Sequence, residues 1–512
     1  MIIIGEREIT IEDFYNILFE EEKIEVANQA IQKLQTNYQF LQDFSKNKVI
    51  YGINTSFGPM AQYRINNSDI VDLQYNLIRS HSSGSGSPLP NICVKACMIA
   101  RMTTLMQAKS GVQPEVVQLL KELINRNIYP LIPEHGGVGA SGDLVQLSHL
   151  ALVLIGEGEV FHNGEYQPTK EVFKQHGLAP IEVTLREGLA LINGTSCMSG
   201  IGIINTLHLR NLINWSIAAT GILNELVESY DDHFSAPLNQ AKQHPGQQAV
   251  AKAMREMLAE SKRIKKRPEH LYEKTVEVDI IKEKVQEYYS LRCAPQIIGP
   301  ILETLENAEK VLEREVNSVN DNPIISDEFQ NVFHGGNFHG DYVSFEMDKL
   351  KIATTKLSML MERQLNYLLN DKINNLLPPF VNLGKLGLNL GIQGMQFTAT
   401  STTAENQTLS NPMYIHSIPN NNDNQDIVSM GTNSALMARK VVMNTFEVAA
   451  IHYIAILQAI DYLACADALT PTSRQIFNNM RAIVPKFIED TPKYKDIKNL
   501  RDYIFVNRLA II

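Results

Sequence analysis

The stretch VVMNTFEVAAIHYIAILQAIDYL, residues 441–463, is apolar on almost every side when it is wound into a helix. A helix of this kind must be buried, either inside a helix bundle or between subunits. Residues 301–316 and 349–369 also keep apolar side chains at helical spacing. The second half of the chain is therefore predicted to form long, packed helices.

The first 200 residues have a different pattern, in which short helices alternate with loops rich in glycine and proline. The beginning predicts two short strands around Gly5 and a helix that starts near Thr10, with Asp13 in its first turn. We predict a mainly α fold with two regions. Residues 1–200 form a smaller mixed region that carries the unusual loops, and residues 201–512 form a long-helix bundle with C-terminal helices.

Composition and charge narrow the class of protein. The 512 residues are 44% hydrophobic and 20% charged, which is ordinary for a soluble globular protein. The net charge of −10 opposes binding to a polyanion. One basic run, residues 262–267, is more typical of a solvated loop or a helix end than of a nucleic-acid site. We therefore expect no nucleic-acid partner.

The cysteines and the apolar segments indicate the compartment. Five cysteines lie scattered without a CxxC pair, which argues against a disulfide framework or a thiolate zinc site and for a reducing environment. Charged residues at the N-terminus, such as Glu6 and Arg7, exclude a signal peptide. The longest apolar stretch, within 447–461, is interrupted by His452 and Gln458 and is too short and too polar to span a bilayer. The sequence predicts a cytoplasmic protein that does not interact with membranes.

Residues 135–143 read HGGVGASGD and carry the densest motif in the chain. Their glycines match the dinucleotide-binding pattern G-x-G-x-x-G, but Pro130 and Pro133 stand where that motif requires a buried parallel strand. No Gly-Lys-Ser or Gly-Lys-Thr follows, so the phosphate-loop pattern is not met either. A glycine-rich turn before a helix fits the segment, but it does not explain the motifs that accompany it.

Those other motifs are spread over nearly the whole chain. In order, the set reads Tyr51-Gly52-Ile53-Asn54-Thr55, the segment from Gly136 to Asp143, Asn193-Gly194-Thr195, Gln286 to Arg292, Asn320-Asp321-Asn322-Pro323, His334 to Phe338 and Asn424-Gln425-Asp426. Together they resemble the aromatic amino acid ammonia-lyase and aminomutase family. The resemblance implies a long central helix bundle of the fumarase/aspartase-like superfamily and a homotetramer whose sites are shared between chains.

The resemblance also implies a prosthetic group made from Ala140, Ser141 and Gly142. In the family this triplet cyclises by itself to a 4-methylidene-imidazol-5-one, so that no external cofactor is needed. The residue types suit that reaction, because Gly142 has no side chain to block its nitrogen and Ser141 supplies the hydroxyl that is lost. The helix that begins after Asp143 directs its positive end towards the electrophile.

Removal of ammonia needs an electron sink, a base and a carboxylate clamp, because ammonia leaves poorly and the β-proton is barely acidic. The resemblance makes Tyr51, on a lid loop, the base that removes this proton. Asn193 would hydrogen-bond the imidazolone oxygen, and Tyr289 would lie near the amine and the prosthetic group. With the triplet, these residues form the implied catalytic set.

The implied substrate-binding set surrounds the carboxylate and the ring. Arg292 would clamp the carboxylate, and Asn322 would help it there. The full set is Ser80, His81, Leu144, Gln286, Arg292, Asn322, Phe338, Asn424 and Gln425. The spacing of Gln286, Tyr289 and Arg292 predicts one shared helix face. We expect no metal site, because His334 and His339 are separated by glycines that indicate a turn.

Two positions depart from the family's usual pattern. Ser56 stands in the lid where glycine is frequent, and Glu287 stands where aspartate is frequent. Neither position belongs to the residues implied in bond making. We expect these departures to affect lid motion and local packing more than the class of reaction.

Two places in the family contact the ring of the substrate, and here they disagree. Ser80-His81 is the pair typical of histidine lyases, whereas Gln425 replaces the glutamate of those enzymes and is typical of tyrosine and phenylalanine enzymes. A phenol reconciles both, because its hydroxyl can pair with His81 and needs no carboxylate.

We therefore expect L-tyrosine as substrate and trans-4-coumarate as product. Four alternatives stay open: a histidine ammonia-lyase that makes urocanate, a phenylalanine ammonia-lyase, an aromatic 2,3-aminomutase and an inactive scaffold or binding relative.

Overall fold

The computed structural model describes residues 1–46, 48–272 and 279–512. Over these residues the chain is mainly helical with short strands, which confirms the predicted fold class. The α-helices of the described residues are α1 (Ile11–Leu18), α2 (Asn28–Phe44), α3 (Ile70–His81), α4 (Asn91–Leu105), α5 (Pro114–Asn125), α6 (Leu144–Leu154), α7 (Thr169–His176), α8 (Glu187–Ile192), α9 (Ser196–Leu226), α10 (Ala236–Gln240), α11 (Pro245–Leu258), α12 (Tyr289–Arg292), α13 (Ala294–Val316), α14 (Asp341–Leu369), α15 (Asp371–Asn374), α16 (Gln393–Leu409), α17 (Gly431–Leu463), α18 (Pro471–Ile483) and α19 (Tyr494–Val506). Their strands are β1 (Ile2–Ile4), β2 (Ile24–Val26), β3 (Ser85–Pro88), β4 (Tyr129–Pro130), β5 (Pro133–His135), β6 (Glu159–His162), β7 (Glu165–Pro168), β8 (Ile324–Ser326) and β9 (Asn331–Phe333).

The long helices predicted from periodicity are present. The stretches 301–316, 349–369 and 441–463 fall inside α13, α14 and α17. By length and composition α17 could cross a membrane, but 83% of its most apolar 18-residue window is buried within the protein. It is therefore a core helix, as its apolar circumference requires.

The chain divides into two compact units. The first unit comprises Met1–Leu207, Asn307–Asp348 and Pro412–Arg439, and the second comprises His208–Glu306, Lys349–Asn411 and Lys440–Ile512. The sequence predicts two contiguous regions instead. It does not predict that the chain passes back and forth between the two units. Periodicity cannot reveal them, because most of the boundaries fall inside long helices that keep the same pattern on both sides.

The N-terminus differs in part from its prediction. Strand β1 pairs in parallel with β2, and no second strand forms around Gly5 among the described residues. Helix α1 begins as predicted, since Thr10 and Asp13 form a reciprocal capping box. Arg7 pairs with Asp13 at 2.6 Å, and this ion pair holds the chain in a turn where the second strand is predicted.

The strands before the glycine-rich motif are short. Strand β5 pairs with β3 in antiparallel fashion, and β4 lies beside β6 in a three-stranded antiparallel sheet. The motif follows β5 directly and ends where α6 begins. An antiparallel strand of this kind cannot supply the parallel βα turn on which dinucleotide binding depends.

The basic run 262–267 lies at the C-terminal end of α9, within the second unit. Arg263 donates to the carbonyl oxygens of Glu225 and Leu226, and Lys265 pairs with Glu228 at 2.8 Å. Cations are favourable at this end of a helix, where carbonyl oxygens lack helical partners. The run itself is a loop that packs against the end of α9, which agrees with the loop among the two structural alternatives from the sequence.

Candidate active site

A cavity of about 480 Å³ lies in the first unit beside Ser141. Its walls come from the loop 51–60, helix α3, the start of α6 and the segment 421–425. The structure brings the following predicted residues together around it: Tyr51, Ser80, His81, Ser141, Leu144, Asn193, Asn322, Phe338, Asn424 and Gln425. Residues from distant parts of the sequence therefore face one space.

The triplet is held in a turn that only glycine can complete. Gly142 has a φ of +73°, and a Cβ at this position would lie 1.9 Å from the carbonyl oxygen of Gly194. The two glycines form a parallel bridge, and Asp143 N donates to the same oxygen at 2.7 Å. Ala140 before them is 4% exposed. The position therefore requires a residue without a side chain, which also leaves the nitrogen of Gly142 unshielded by its own residue.

Hydrogen-bond donors converge on Ser141. Its backbone oxygen accepts from Asn193 Nδ2 at 2.9 Å and from Gly194 N at 3.4 Å. Its hydroxyl accepts from Gln425 Nε2 at 2.9 Å. Two fixed donors on one carbonyl oxygen form an arrangement that stabilises negative charge developing there.

These residues fit the imidazolone group implied by the triplet. A ring closed between Ala140 and Gly142 forms without any side chain at position 142, and the structure has no space for a Cβ at that position. The ring oxygen would be the backbone oxygen of Ser141, which Asn193 and Gly194 already contact. The group would be bound through the chain itself and would supply an electrophilic alkene.

The side chain of Asp143 connects the turn to two other helices. It is fully buried and accepts from Met198 N at 2.8 Å and from the hydroxyl of Thr432. Burial raises the pKa of Asp143 to about 6, although these hydrogen bonds oppose the rise. The N-terminal ends of α6, α9 and α17 therefore meet at one carboxyl group, where their positive ends favour negative charge.

The loop 51–60 holds the hydroxyl of Tyr51 in place. This oxygen accepts from Gly58 N at 3.0 Å, and the Tyr51 ring meets Phe57 edge to face with centroids 6.1 Å apart. Gly58 has a φ of +51°, and a Cβ there would lie 2.8 Å from Asn421 Nδ2. The loop is thus seated against the opposite wall of the cavity.

Helix α3 supplies the wall where Ser80 and His81 lie. His81 Nδ1 is 2.9 Å from the carbonyl oxygen of Leu77 and 3.1 Å from Ser80 Oγ. A carbonyl oxygen only accepts, so Nδ1 carries the hydrogen of the neutral ring. The other nitrogen, Nε2, is then an acceptor for a hydroxyl or an N–H group.

The segment 320–323 is fixed by a buried ion pair. Arg186 and Asp321 are both fully buried and lie 3.0 Å apart. Arg186 also donates to the backbone oxygen of Asn322 at 2.9 Å. Asn322 N donates in turn to Asn193 Oδ1 at 2.8 Å, so this segment is connected to the donor that contacts Ser141.

The remaining predicted residues lie in the second unit. The guanidinium carbon of Arg292 lies 4.6 Å from the centroid of the Tyr289 ring, and Arg292 Nε donates to the carbonyl oxygen of Glu287 at 2.9 Å. Tyr289 is 70% exposed. These residues and Gln286 do not line the cavity at Ser141 within the part of the chain that is described, since that cavity belongs to the first unit.

The predicted shared helix face of Gln286, Tyr289 and Arg292 is wrong. Helix α12 begins at Tyr289, and Tyr288 before it is extended with a ψ of 155°. The extended chain lets Glu287 point inward, where Lys284 pairs with it at 2.5 Å. A short helix after an extended segment therefore replaces the longer predicted one.

The two departures from the family pattern have local explanations. Ser56 is 8% exposed, and its N–H donates to the carbonyl oxygen of Tyr63 at 3.0 Å, which any residue can do. Glu287 is 5% exposed and extends to Lys284. Burial lowers the pKa of Lys284, but the hydrogen bonds to Glu287 and Tyr367 outweigh that effect and raise it.

His334 and His339, on either side of the glycines, are the residues that would suggest a metal pair. His339 Nδ1 lies 3.3 Å from an oxygen of Asp341, and His339 Nε2 lies 3.3 Å from the carbonyl oxygen of Ile427. Burial lowers the pKa of His334. Over 1–46, 48–272 and 279–512, no three histidine, cysteine, aspartate or glutamate side chains are grouped to hold a metal.

Sequence reasoning missed part of the cavity wall. Leu73, Asn76 and Leu77 line it from α3, one and two turns before Ser80 and His81. Their spacing of three and four residues is visible in the sequence and could have extended the site along this helix. Leu189 comes from the short helix α8. Four further residues come from loops that have no periodicity to predict them: Phe57, Met60, Asn421 and Asn422.

Comparison with known proteins covers almost the entire chain. The family model for aromatic amino acid lyases matches residues 9–482. Tyrosine 2,3-aminomutase from Myxococcus sp. (strain Mx-B0) is 38% identical over 496 residues, 96% of this chain and 94% of that protein. Histidine ammonia-lyase from Geobacillus sp. (strain WCH70) is 36% identical over 499 residues, 97% of this chain and 95% of that protein.

The solved structures give the same picture. The crystal structure of tyrosine aminomutase from Streptomyces globisporus superposes with a TM-score of 0.94 at 35% identity. The match covers 98% of this chain and 96% of that one. The fold is therefore shared over nearly the full length of the chain.

Proposed function

The chain belongs to the aromatic amino acid lyase family, and on that premise we propose that it removes ammonia from L-tyrosine to give trans-4-coumarate. The β-proton and the amino group leave, and a carbon–carbon double bond forms. Tyr51 accepts the β-proton. Arg292 pairs with the carboxylate, and Asn193 stabilises charge at the backbone oxygen of Ser141.

The observation that carries the choice of tyrosine is the state of His81. Because Nδ1 donates to Leu77, Nε2 is an acceptor, and a phenol hydroxyl is a donor that matches it. Phenylalanine would leave that acceptor without a partner, which costs about 1–3 kcal/mol. The name of the Myxococcus relative, tyrosine 2,3-aminomutase, agrees with a phenolic substrate.

Gln425 further disfavours histidine. It donates to Ser141 Oγ, and its amide carries no charge to pair with an imidazolium ring. A histidine substrate could still donate an N–H to His81, so the Geobacillus relative keeps this alternative in the test. Phenylalanine is the third substrate to compare.

The prosthetic group proposed here is the 4-methylidene-imidazol-5-one from Ala140, Ser141 and Gly142. When present it would supply an electrophilic alkene at the cavity. The chain's own residues do the rest: Tyr289 lies against Arg292 near the amine, and Gln286 hydrogen-bonds close by. Phe338 and Leu144 form apolar walls, and Asn322 and Asn424 offer amide groups.

We further propose a cytoplasmic homotetramer in which a site combines residues of different chains. Tyr51 and Ser141 belong to the cavity of the first unit, whereas Arg292 and Tyr289 belong to the second unit. A carboxylate clamp from another subunit would complete the cavity. Exposed apolar residues such as Ile415 and Phe397 are typical of surfaces that subunits cover.

A second candidate function is an aromatic 2,3-aminomutase. The names of the Myxococcus and Streptomyces relatives favour it. Such an enzyme would remove ammonia by the same groups and return it to the β-carbon before release. The cavity residues serve both reactions equally, so the products must decide.

Product analysis tests the function. The purified protein is incubated separately with L-tyrosine, L-histidine and L-phenylalanine, and ammonia, the unsaturated acid and the β-amino acid are measured by chromatography. We expect 4-coumarate and ammonia in equal amounts from tyrosine. β-Tyrosine as the main product would establish the aminomutase. Preferred turnover of histidine would refute the proposal that His81 selects a phenol. No turnover of any of the three amino acids would favour a scaffold.

A further inference from the structure

We propose that Arg186 is a positioning residue for the reaction, which holds the backbone of Asn322 so that Asn193 presents its amide nitrogen to Ser141. The inference rests on the proposed function, since it concerns the group formed at Ser141. Arg186 itself does not line the cavity. Its effect would be transmitted through two residues that do, Asn322 and Asn193.

Arg186 is fixed by three residues from two separate segments of the chain. Its Nη1 and Nη2 donate to Asp321 Oδ2 at 3.1 and 3.0 Å, and Nη2 also donates to the oxygen of Asn322 at 2.9 Å. A further bond from Nη1 reaches the carbonyl oxygen of Ser110. The side chain is fully buried. A planar guanidinium with these partners has one orientation, which lysine or glutamine cannot reproduce in full.

Asn322 is thereby held at both of its backbone polar groups. Its carbonyl oxygen accepts from Arg186, and its N–H donates to Asn193 Oδ1 at 2.8 Å. Because an N–H only donates, it requires the oxygen of the Asn193 amide on its side. The nitrogen of that amide then faces the oxygen of Ser141, at 2.9 Å.

The orientation of this amide has a chemical consequence. With the opposite orientation two donors would face each other at Asn322, and two oxygens would face each other at Ser141. Negative charge develops at the Ser141 oxygen as the reaction proceeds, so the Asn193 bond strengthens in the transition state. Loss of its positioning should lower kcat by a larger factor than it raises KM, since Asn322 also faces the cavity where the substrate would bind.

The variants must separate positioning from folding. Replacing Arg186 alone would leave Asp321 as a buried carboxylate without its partner, which destabilises a protein for unrelated reasons. We therefore combine Arg186→Met with Asp321→Leu. The matched control is Arg481→Met with Asp461→Leu, a partly buried pair at 2.6 Å in the second unit whose arginine also bonds to Gln458 and Val484.

Activity and absorbance provide independent readouts. In the Arg186 double variant we expect kcat to fall about tenfold to a hundredfold and KM to rise by a smaller factor. The near-ultraviolet absorbance should shift as it does in Asn193→Ala. Intact mass should still show the loss of two waters. The control pair should keep the parent's kcat and absorbance. Arg186→Lys keeps the charge but not the planar set of bonds, so it should recover only part of the kcat.

A double-mutant cycle gives the sharpest result. If Arg186 acts through Asn193, adding Asn193→Ala to the Arg186 double variant should cause little further loss of kcat. Additive losses, or a parent-like kcat and absorbance in the double variant, would overturn the proposal. So would loss of folding in both the double variant and Arg186→Lys, because it would assign Arg186 a purely structural part.

Failure of the proposed function is recognised separately. The mass loss and the absorbance of the parent need no substrate, and the kinetics use whichever aromatic amino acid the parent converts. A parent without the mass loss refutes the prosthetic group itself. A parent that carries it but prefers histidine refutes only the choice of tyrosine and leaves the test of Arg186 intact.

Discussion

Ser141 carries the hydroxyl whose loss creates the proposed electrophile. We predict that Ser141→Ala is folded but has a kcat lower by at least about a thousandfold. The change removes one oxygen atom from a loop, so the melting temperature should stay within a few degrees of the parent's. Intact mass should show no loss of water, and the near-ultraviolet absorbance of the parent should be absent. An active variant would refute the prosthetic group.

His81 is the residue that bears on the choice of ring. We predict that His81→Phe shifts the ratio of kcat/KM from tyrosine towards phenylalanine by about ten- to a hundredfold. Tyrosine loses its acceptor and must bury a hydroxyl against an apolar ring, whereas phenylalanine gains an apolar neighbour. The companion change Gln425→Glu should favour histidine instead, because it offers a negative charge. Unchanged ratios in competition assays would contradict this role of His81.

Asp143 gives a pH dependence with a defined sign. Burial raises its pKa from 3.8 to about 6, so the folded state holds this proton more tightly than the unfolded state. The stability it contributes is full below pH 3.8 and is lost as the pH rises through about 6. Relative to Asp143→Asn, the parent should gain roughly 1 kcal/mol between pH 7 and pH 5. Melting temperatures of both proteins at the two pH values measure this; a constant difference would contradict it.

At the scale of elements, the loop 51–60 depends on one contact of Gly58. We predict that Gly58→Ala lowers kcat about tenfold, because a Cβ at φ +51° would meet Asn421 and displace the N–H that holds Tyr51. The matched control is Gly177→Ala at the end of α7, where φ is +63° and nothing lies within 4 Å. Both changes should cost about 1 kcal/mol of stability. Equal kcat values for the two variants would show that the hydrogen bond from Gly58 N to the Tyr51 hydroxyl has no effect on turnover.

Sequence patterns predicted the elements that depend on apolar spacing or local capping better than the elements that depend on tertiary contacts. Helix α17 could be predicted because its apolar circumference demands burial, and α1 because Thr10 and Asp13 form a cap that follows from local chemistry. The extended residue Tyr288 could not be predicted, since the inward turn of Glu287 depends on Lys284 and on tertiary packing. The same holds for β2, whose partner β1 is chosen by three-dimensional contact.

The site shows the same limit. Motifs pointed to Ser141, Asn193 and Gln425, which the structure brings within hydrogen-bond distance. The support from Arg186 carried no local signal, because its partners lie 76 to 136 residues away in sequence. Short motifs therefore indicate the groups at a cavity, whereas the groups that orient them emerge only from the folded chain.

At the scale of the whole molecule, the proposed shared site predicts complementation between inactive variants. Ser141→Ala and Arg292→Ala should each be inactive as homogeneous tetramers. Co-expressed, they should form mixed tetramers in which about a quarter of the sites combine an intact Ser141 with an intact Arg292 from another chain. Recovery of activity near that fraction, with a tetrameric mass by light scattering, is the expected result. A fully active monomer, or no recovery in verified mixed tetramers, would refute the sharing of sites.

The bridge between Gly142 and Gly194 has a consequence for the order of events during synthesis and folding of the chain. Some fifty residues separate the two glycines, so a nascent chain lacks this contact until the later segment has left the ribosome and packed. If this contact shapes the turn that cyclises, the triplet cyclises only in a correctly folded chain. A truncated or misfolded chain would then keep Ser141 as an unmodified serine. The reactive alkene would then arise only inside a finished cavity, where cellular thiols have the least access to it.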